Sequence, residues 1–254
     1  MVNEIITSVD NPMVKEARSL NDKKFRKFHG KFLVDGEKLV REVVAGAMEV
    51  DKLFVDSSKL ADFGYILENF NGKVVPVTEK VLASISENVT PQGIIAEVIM
   101  RETFDFTPEP NKPILVLDRI QDPGNLGTII RVMLGFDYNN LAIITPCIDV
   151  FDPKVIRASM GSIFSMNIEL FDSFDAYQKV NLNHKYPFML KATTELQKLD
   201  KKIQPHTLIF GNEARGLDDS YLEVGTPLII RHSRNIDSLN LSMSATIALY
   251  EFNK

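Results

Sequence analysis

Cysteine is nearly missing from this 254-residue chain: Cys147 stands alone, so neither an intramolecular disulfide nor a cysteine metal cluster can form. The four histidines (His29, His184, His206, His232) are scattered, without the paired spacing of a zinc site, so no metal is expected. Long hydrophobic runs are also missing. The most apolar stretches, 114–117 and 141–148, have the length of strands and not of membrane spans. Residues 1–12 carry Glu4 and Asp10 and lack the basic start and apolar run of a secretory signal, which leaves a cytoplasmic protein as the expectation. There is no excess of positive charge either. The formal net charge of −5 excludes a uniformly basic nucleic-acid binder, so any such role must rest on local charge. With 44% hydrophobic and 25% charged residues, the chain is an ordinary globular one.

Positive charge does concentrate between Lys15 and Lys31, where seven Lys/Arg face two acids, Glu16 and Asp22. Taken alone, such a run is a solvated helix face. With Phe25 and Phe28 interleaved, an RNA contact through Lys23, Lys24, Arg26 and Lys27 competes with that reading. The clearest seam is 101–113, where Pro108, Pro110 and Pro113 interrupt helix and strand alike. It is expected to link a domain over 1–100 to a second over 114–254.

Both halves alternate strand-like and helix-like segments. In the first, strands are expected at 32–34, 52–55, 73–77 and 93–99, and helices at 37–47 and 79–85. In the second, strands are expected at 114–117, 141–145, 167–170, 187–191, 207–210 and 227–230, and helices at 126–134, 153–159 and from Leu241 onward. This rhythm predicts an α/β chain with largely parallel sheets, whose ligands sit beyond the carboxyl ends of the strands.

Three segments hold polar residues where such a sheet places its site. In Asp118-Arg-Ile-Gln-Asp-Pro-Gly-Asn-Leu-Gly-Thr-Ile-Ile-Arg131, a Pro-Gly turn precedes Asn125, a good helix cap, and Arg131 follows Gly127 by one helical turn. In Leu208-Ile-Phe-Gly-Asn-Glu-Ala-Arg-Gly-Leu217, the Gly211–Gly216 spacing imitates a phosphate loop. Leu217 and Asp218 stand where Lys and Ser/Thr would be required, so a nucleoside triphosphate is disfavoured. No GxGxxG follows any strand, so a dinucleotide is disfavoured too. A glycine loop holding Glu213 and Arg215 suits a small polar or cationic ligand. The third segment, 238–252, lets Ser238 or Asn240 cap a helix with almost no charged face. Such a helix should be buried nearly all round, which at the end of the chain predicts a subunit interface, with Leu249 chosen as the position to disrupt it.

Together the segments resemble the SpoU (TrmH-type) branch of the SPOUT RNA methyltransferases. The resemblance rests on Asn-x-Gly-x-x-x-Arg at 125–131, Phe-Gly-Asn-Glu-x-x-Gly-Leu at 210–217 and Ser-Leu-Asn…Leu-Tyr-Glu at 238–251. It extends to Pro91-Gln-Gly-Ile-Ile-Ala96 and to Phe32-Leu-Val-Asp-Gly-Glu-Lys-Leu-Val40, similar to the family's catalytic-domain entry and N-terminal substrate domain. The resemblance implies a mostly parallel catalytic domain with a C-terminal trefoil knot and a smaller α/β RNA-binding domain before it; the interface read from the apolar C-terminal helix is expected to form a homodimer. It also implies transfer of a methyl group from S-adenosylmethionine to a ribose 2′-hydroxyl in rRNA. A tRNA substrate, or an RNA-binding module without catalysis, are the alternatives.

Carried over by position, Thr193, Gly211, Asn212, Gly216, Ile230 and Leu239 would bind the cofactor. Arg131, Asn125, Glu213, Ser238 and Asn240 would form the catalytic group. In the family the arginine matching Arg131 is proposed to activate the hydroxyl. A guanidinium stays protonated and has no acceptor, so here it is expected to orient phosphate and ribose while a phosphate oxygen, Glu213 or water takes the proton. Arg231 and Arg234 replace the family's usual Pro and Gly before Ser-Leu-Asn, either as phosphate contacts or as part of a solvated loop.

Overall fold

The computed structural model describes residues 4–100, 112–200, 202–233 and 235–254. The expected linker at 101–113 therefore lies, as far as residue 111, outside the described residues, as does Arg234. The chain divides into two compact units, Met1–Glu102 with Phe151–Phe164, and Thr103–Val150 with Ser165–Lys254.

The first unit contains α1 (Pro12–Ser19), α2 (Lys23–His29), β1 (Lys31–Asp35), α3 (Glu37–Ala45), β2 (Val50–Asp56), α4 (Gly64–Leu67), β3 (Lys73–Val77), α5 (Glu79–Ile85) and β4 (Ile94–Ile99). Its sheet has the order β1-β4-β2-β3. Only β2 and β3 run parallel; β4 lies antiparallel to both β1 and β2. This corrects the expectation of a largely parallel sheet here, since alternation along the chain does not reveal that β4 inserts between β1 and β2. Val14, Ala17 and Leu20 from α1 and its end pack with Leu33, Phe54, Val75, Leu82 and Ile85. The fully buried Glu97 carboxylate of β4 accepts from Lys31 and Lys52, each at 2.7 Å, so the charges pair across three strands instead of standing alone in the sheet.

The second unit contains β5 (Ile114–Asp118), α6 (Pro123–Gly135) and β6 (Asn140–Ile144). After α7 (Pro153–Ser159), which belongs to the first unit, come β7 (Asn167–Phe171), α8 (Phe174–Val180), β8 (His184–Pro187), β9 (Thr194–Glu195), β10 (His206–Phe210), β11 (Leu228–Ile229) and α9 (Leu241–Phe252). The five-stranded sheet β7-β6-β5-β10-β8 is parallel throughout. Consecutive residues of β5 and β10 are buried, as expected of strands covered on both faces. The strand expected at 187–191 instead ends at Pro187, which lacks a donor and sits at the end of an edge strand. From β5 the chain winds outward through β6 and β7, then returns to lay β10 on the other side of β5. A crevice opens at such a reversal, beyond the carboxyl ends of β5 and β10.

Candidate active site

The segments leaving β5 and β10 meet at that crevice. Phe210 stands in register with Leu117, so Gly211 emerges beside Asp118. A Cβ on Gly211 would lie 2.2 Å from the Gly216 carbonyl carbon, and Gly216 itself has φ +67°. The loop thus closes backbone on backbone, which only glycine at 211 permits. Asn212 shapes it further: its Oδ1 accepts from the N–H groups of Ala214 and Arg215, and its Nδ2 donates to the Arg119 carbonyl at 2.9 Å.

All three segments are joined by one polar chain. Glu213 accepts from the backbone N–H of Asp122 at 3.0 Å and of Gln121 at 3.3 Å, with Asn125 Nδ2 at 3.5 Å. Asn125 Oδ1 in turn accepts from Asn240 Nδ2 at 3.1 Å. Asn125 is therefore not the cap of α6. Asp122 holds that role, accepting from the Asn125 N–H at 2.7 Å, and so leaves the Asn125 amide free to bridge the other two segments. Of the two candidates for capping α9, Asn240 does so, accepting from Ser242 and Met243.

These elements enclose a cavity of about 510 Å³. Asn125, Gly211, Asn212, Glu213, Gly216, Ile230, Ser238, Leu239 and Asn240 all line it. Phe188 and Phe210, stacked 4.5 Å apart, and Leu228 supply apolar walls. The volume falls within the usual range for small-ligand sites. The Glu213 carboxylate, apolar walls and loop backbone suit a small ligand with both polar or cationic and apolar parts. Of the Lys and Arg side chains that line it, Lys191 is paired with Asp219 at 2.6 Å and Arg215 lies on the glycine loop itself. Among the described residues no cluster of His, Cys, Asp and Glu could hold a metal ion.

Two expected residues are not among those lining the cavity. Thr193 precedes β9 and is exposed. Arg131 lies on α6, about 240° round the helix from Asn125, is exposed, and makes no side-chain hydrogen bond or salt bridge among the described residues. Arg231 is exposed, with its backbone held by Gln197.

Arg119 belongs to this region too, although no motif in the sequence marks it. This residue follows β5 in the left-handed region, φ +59°, where side chains other than Gly are uncommon. Its guanidinium grips the buried Asp118 with two bonds of 2.9 and 3.1 Å and reaches Asp218 at 2.9 Å. The bond to Asp118 raises its pKa further. Tyr221 donates to the same Asp118 at 3.0 Å, and burial together with that carboxylate pushes the phenol well up, so it keeps its proton. The only sequence signal for this clamp was the position of Arg119, directly after a buried strand.

The basic run lies in the other unit, on α2. Lys23, Lys24 and Lys27 are exposed. Arg26 is not: at 1% exposure its guanidinium donates to the carbonyls of Leu20 and Asn21 at 2.8 and 2.7 Å, beyond the end of α1. Arg26 thus leaves the set of expected RNA contacts, because it serves the C-terminus of α1 instead.

Residues 112–250, more than half of the chain, match the SpoU rRNA Methylase family, and residues 11–96 match the MRM3-like substrate binding domain. The chain belongs to the SpoU rRNA methylase family. Among relatives of this SpoU protein is a 23S rRNA guanosine 2′-O-methyltransferase of Bacillus subtilis, 28% identical over 96% of this chain and 97% of that one. The AdoMet-bound rRNA methyltransferase of Sinorhizobium meliloti superposes with a TM-score of 0.86 at 29% identity, covering 98% of this chain and 96% of that one. The AdoMet complex of the SpoU methyltransferase AviRb from Streptomyces viridochromogenes gives 0.84 at 25% identity, covering 96% and 97%.

Proposed function

We propose that this SpoU protein is an rRNA ribose 2′-O-methyltransferase that uses S-adenosylmethionine. The observation that carries this reading is the Asn240–Asn125–Glu213 chain, which ties the family's three motifs around one cavity of suitable size and polarity. Bound there, S-adenosylmethionine supplies an electrophilic methyl group. Gly211, Asn212, Gly216, Ile230 and Leu239 would hold it through loop backbone and apolar surface, while Thr193 stays an accessory candidate just before β9. The side chain of Asn212 is spent on the loop itself, so its contribution would come from the backbone.

Glu213, engaged by two backbone N–H groups, acts in this reading as the tie between loops, and a phosphate oxygen of the RNA or water receives the hydroxyl proton. Asn125, Ser238 and Asn240 shape the reaction site. Because Arg131 does not line the cavity, its task is to orient RNA phosphate and ribose and not to hold the cofactor. Residues 1–100 would form the RNA-binding domain, with Lys23, Lys24 and Lys27 on phosphates, residues 101–113 the linker, and 114–254 the methyltransferase domain. The trefoil knot and a cytoplasmic setting belong to the same proposal; among the described residues no helix is long and apolar enough to cross a membrane. Mapping reverse-transcription stops at low nucleotide concentration in rRNA from wild-type and deletion cells tests the assignment. A stop that vanishes on deletion and returns with the purified enzyme supports it; identical stop patterns refute it.

A homodimer through α9 is part of this reading, with one change. Leu249 is fully buried within its own unit, where α9 packs on α6 and β10, so substituting it would damage the fold. Met243, Ile247 and Tyr250 form the exposed apolar stripe, at i, i+4 and i+7. Ile247→Asp should therefore yield folded monomers in sedimentation experiments, and a wild-type monomer at micromolar concentration would contradict the dimer.

A further inference from the structure

We infer that the exposed face of α2 is a platform for unpaired RNA, with bases stacking on Phe28 and Phe25 and phosphates held by the adjoining lysines. This deepens the reading of the N-terminal domain as the RNA-binding part and rests on it.

The geometry follows from Arg26. Its burial fixes which side of α2 faces inward, because the guanidinium is fastened to the carbonyls of Leu20 and Asn21. At about 100° per residue, Lys24 and Phe28 fall opposite Arg26, roughly 40° apart. The exposed arc then splits in two. Lys24, Lys27 and Lys23 run along one half; Phe28, Phe25 and the half-buried His29 run along the other. Phe28 is 80% exposed and Phe25 39%. The rings form one cluster: Phe28 stands edge-on to His29 at 4.9 Å, Phe25 stacks against His29 at 6.5 Å, and Lys24 lies over Phe25 at 5.8 Å. No acid interrupts residues 23–31, and Asp22 is occupied in capping the helix.

A duplex offers this face only its phosphates, for which lysines suffice. A cationic stripe beside an aromatic one matches a single strand, whose phosphates and splayed bases run side by side. Most of the Phe28 side chain is open to solvent, which leaves its ring available to a stacking base.

The test compares the affinity of the full-length protein for a labelled single-stranded RNA and for a blunt duplex of the same sequence, at fixed salt. Phe28→Ala should weaken single-strand binding by about 5- to 100-fold, the range of one base–aromatic stack. It should leave duplex binding within about 2-fold and thermal stability unchanged, and Phe28→Trp should restore or strengthen the single-strand affinity. Unchanged single-strand affinity, equal losses on both RNAs, a wild-type preference for duplex, or a variant whose only change is in self-association would each overturn the platform. Methyl transfer is scored separately. An enzyme that methylates rRNA while Phe28→Ala binds single strands normally retains the enzymatic reading and loses the platform; a protein that transfers no methyl group but shows the single-strand loss does the reverse.

Discussion

Replacing Arg119 sets two effects of different sign against each other. As the residue after β5, it holds a left-handed backbone, which costs about 1–2 kcal/mol for any residue bearing a Cβ. Against this, its guanidinium neutralises Asp118, only 3% exposed, and ties it to Asp218 beyond the Gly211–Gly216 loop. Removing one partner of a buried pair costs about 3–5 kcal/mol. Since the Arg119 side chain is 33% exposed and Tyr221 still donates to Asp118, we scale this to about 2–3 kcal/mol. Arg119→Ala keeps the strain and loses the clamp, so it should bear that full cost. Arg119→Gly sheds the strain but gains about 0.4–1 kcal/mol of unfolded-state entropy, so it should be more stable than the alanine variant by about 1 kcal/mol. Urea unfolding followed by far-UV circular dichroism reads the order wild type, then Gly, then Ala. Both variants should also bind S-adenosylmethionine about 5- to 10-fold more weakly by calorimetry, because a charge-assisted bond that steadies the loop is gone. Equal unfolding midpoints for Ala and Gly would refute the strain; wild-type cofactor affinity in either would refute the clamp.

Gly211→Ala should abolish measurable S-adenosylmethionine binding, and with it any cofactor-induced rise in Tm, because the new methyl would overlap backbone atoms of Gly216 and Leu217 that cannot turn aside; retained binding in calorimetry would contradict the loop geometry. Arg131→Lys should leave Tm and cofactor affinity at wild-type values while the single-turnover methylation rate falls about 100-fold or more, since lysine lacks the planar fork. Steep recovery of that variant toward the lysine pKa, near ~10.4, would instead mark residue 131 as the base. His206, buried and hydrogen-bonded to Tyr138 at 2.7 Å, is held at a pKa of about 4 by burial and then by Lys202 and His184. Its folded pKa lies below its unfolded one, so the unfolded chain binds the extra proton. Stability is therefore complete above pH 6.5 and falls as the pH drops toward 4, by at most about 3 kcal/mol. His206→Gln should flatten that part of the stability profile, and an unchanged slope would show that other groups carry it.

Much of the fold was legible because each strand and helix carries its own local pattern. The local patterns of Lys73–Val77, Glu79–Ile85 and Pro153–Ser159 match the observed elements to the residue, and the segments after β5 and β10 stand out because polar residues and glycines follow buried strands. Pairing and exposure were not legible, since they depend on partners distant in sequence. The hydrophobic pattern of Ile94–Ile99 is the same whether it closes a parallel sheet or, as observed, inserts antiparallel between β1 and β2. The charge of Arg26 reads as a surface phosphate contact until the fold buries it on the carbonyls of Leu20 and Asn21, and the one-sided burial of α9 emerges only when α9 packs on α6 and β10, with Leu249 buried and Ile247 exposed. Asn125 looked like a cap because its neighbours make a helix start; Asp122 took the cap because it lies three residues earlier, where its carboxylate meets the Asn125 N–H. The motifs by themselves determined the family and the chemistry expected of it. Only the tertiary structure decided which side chains face that cavity, because a side chain's direction is set by packing across elements a hundred residues apart and not by the residues beside it.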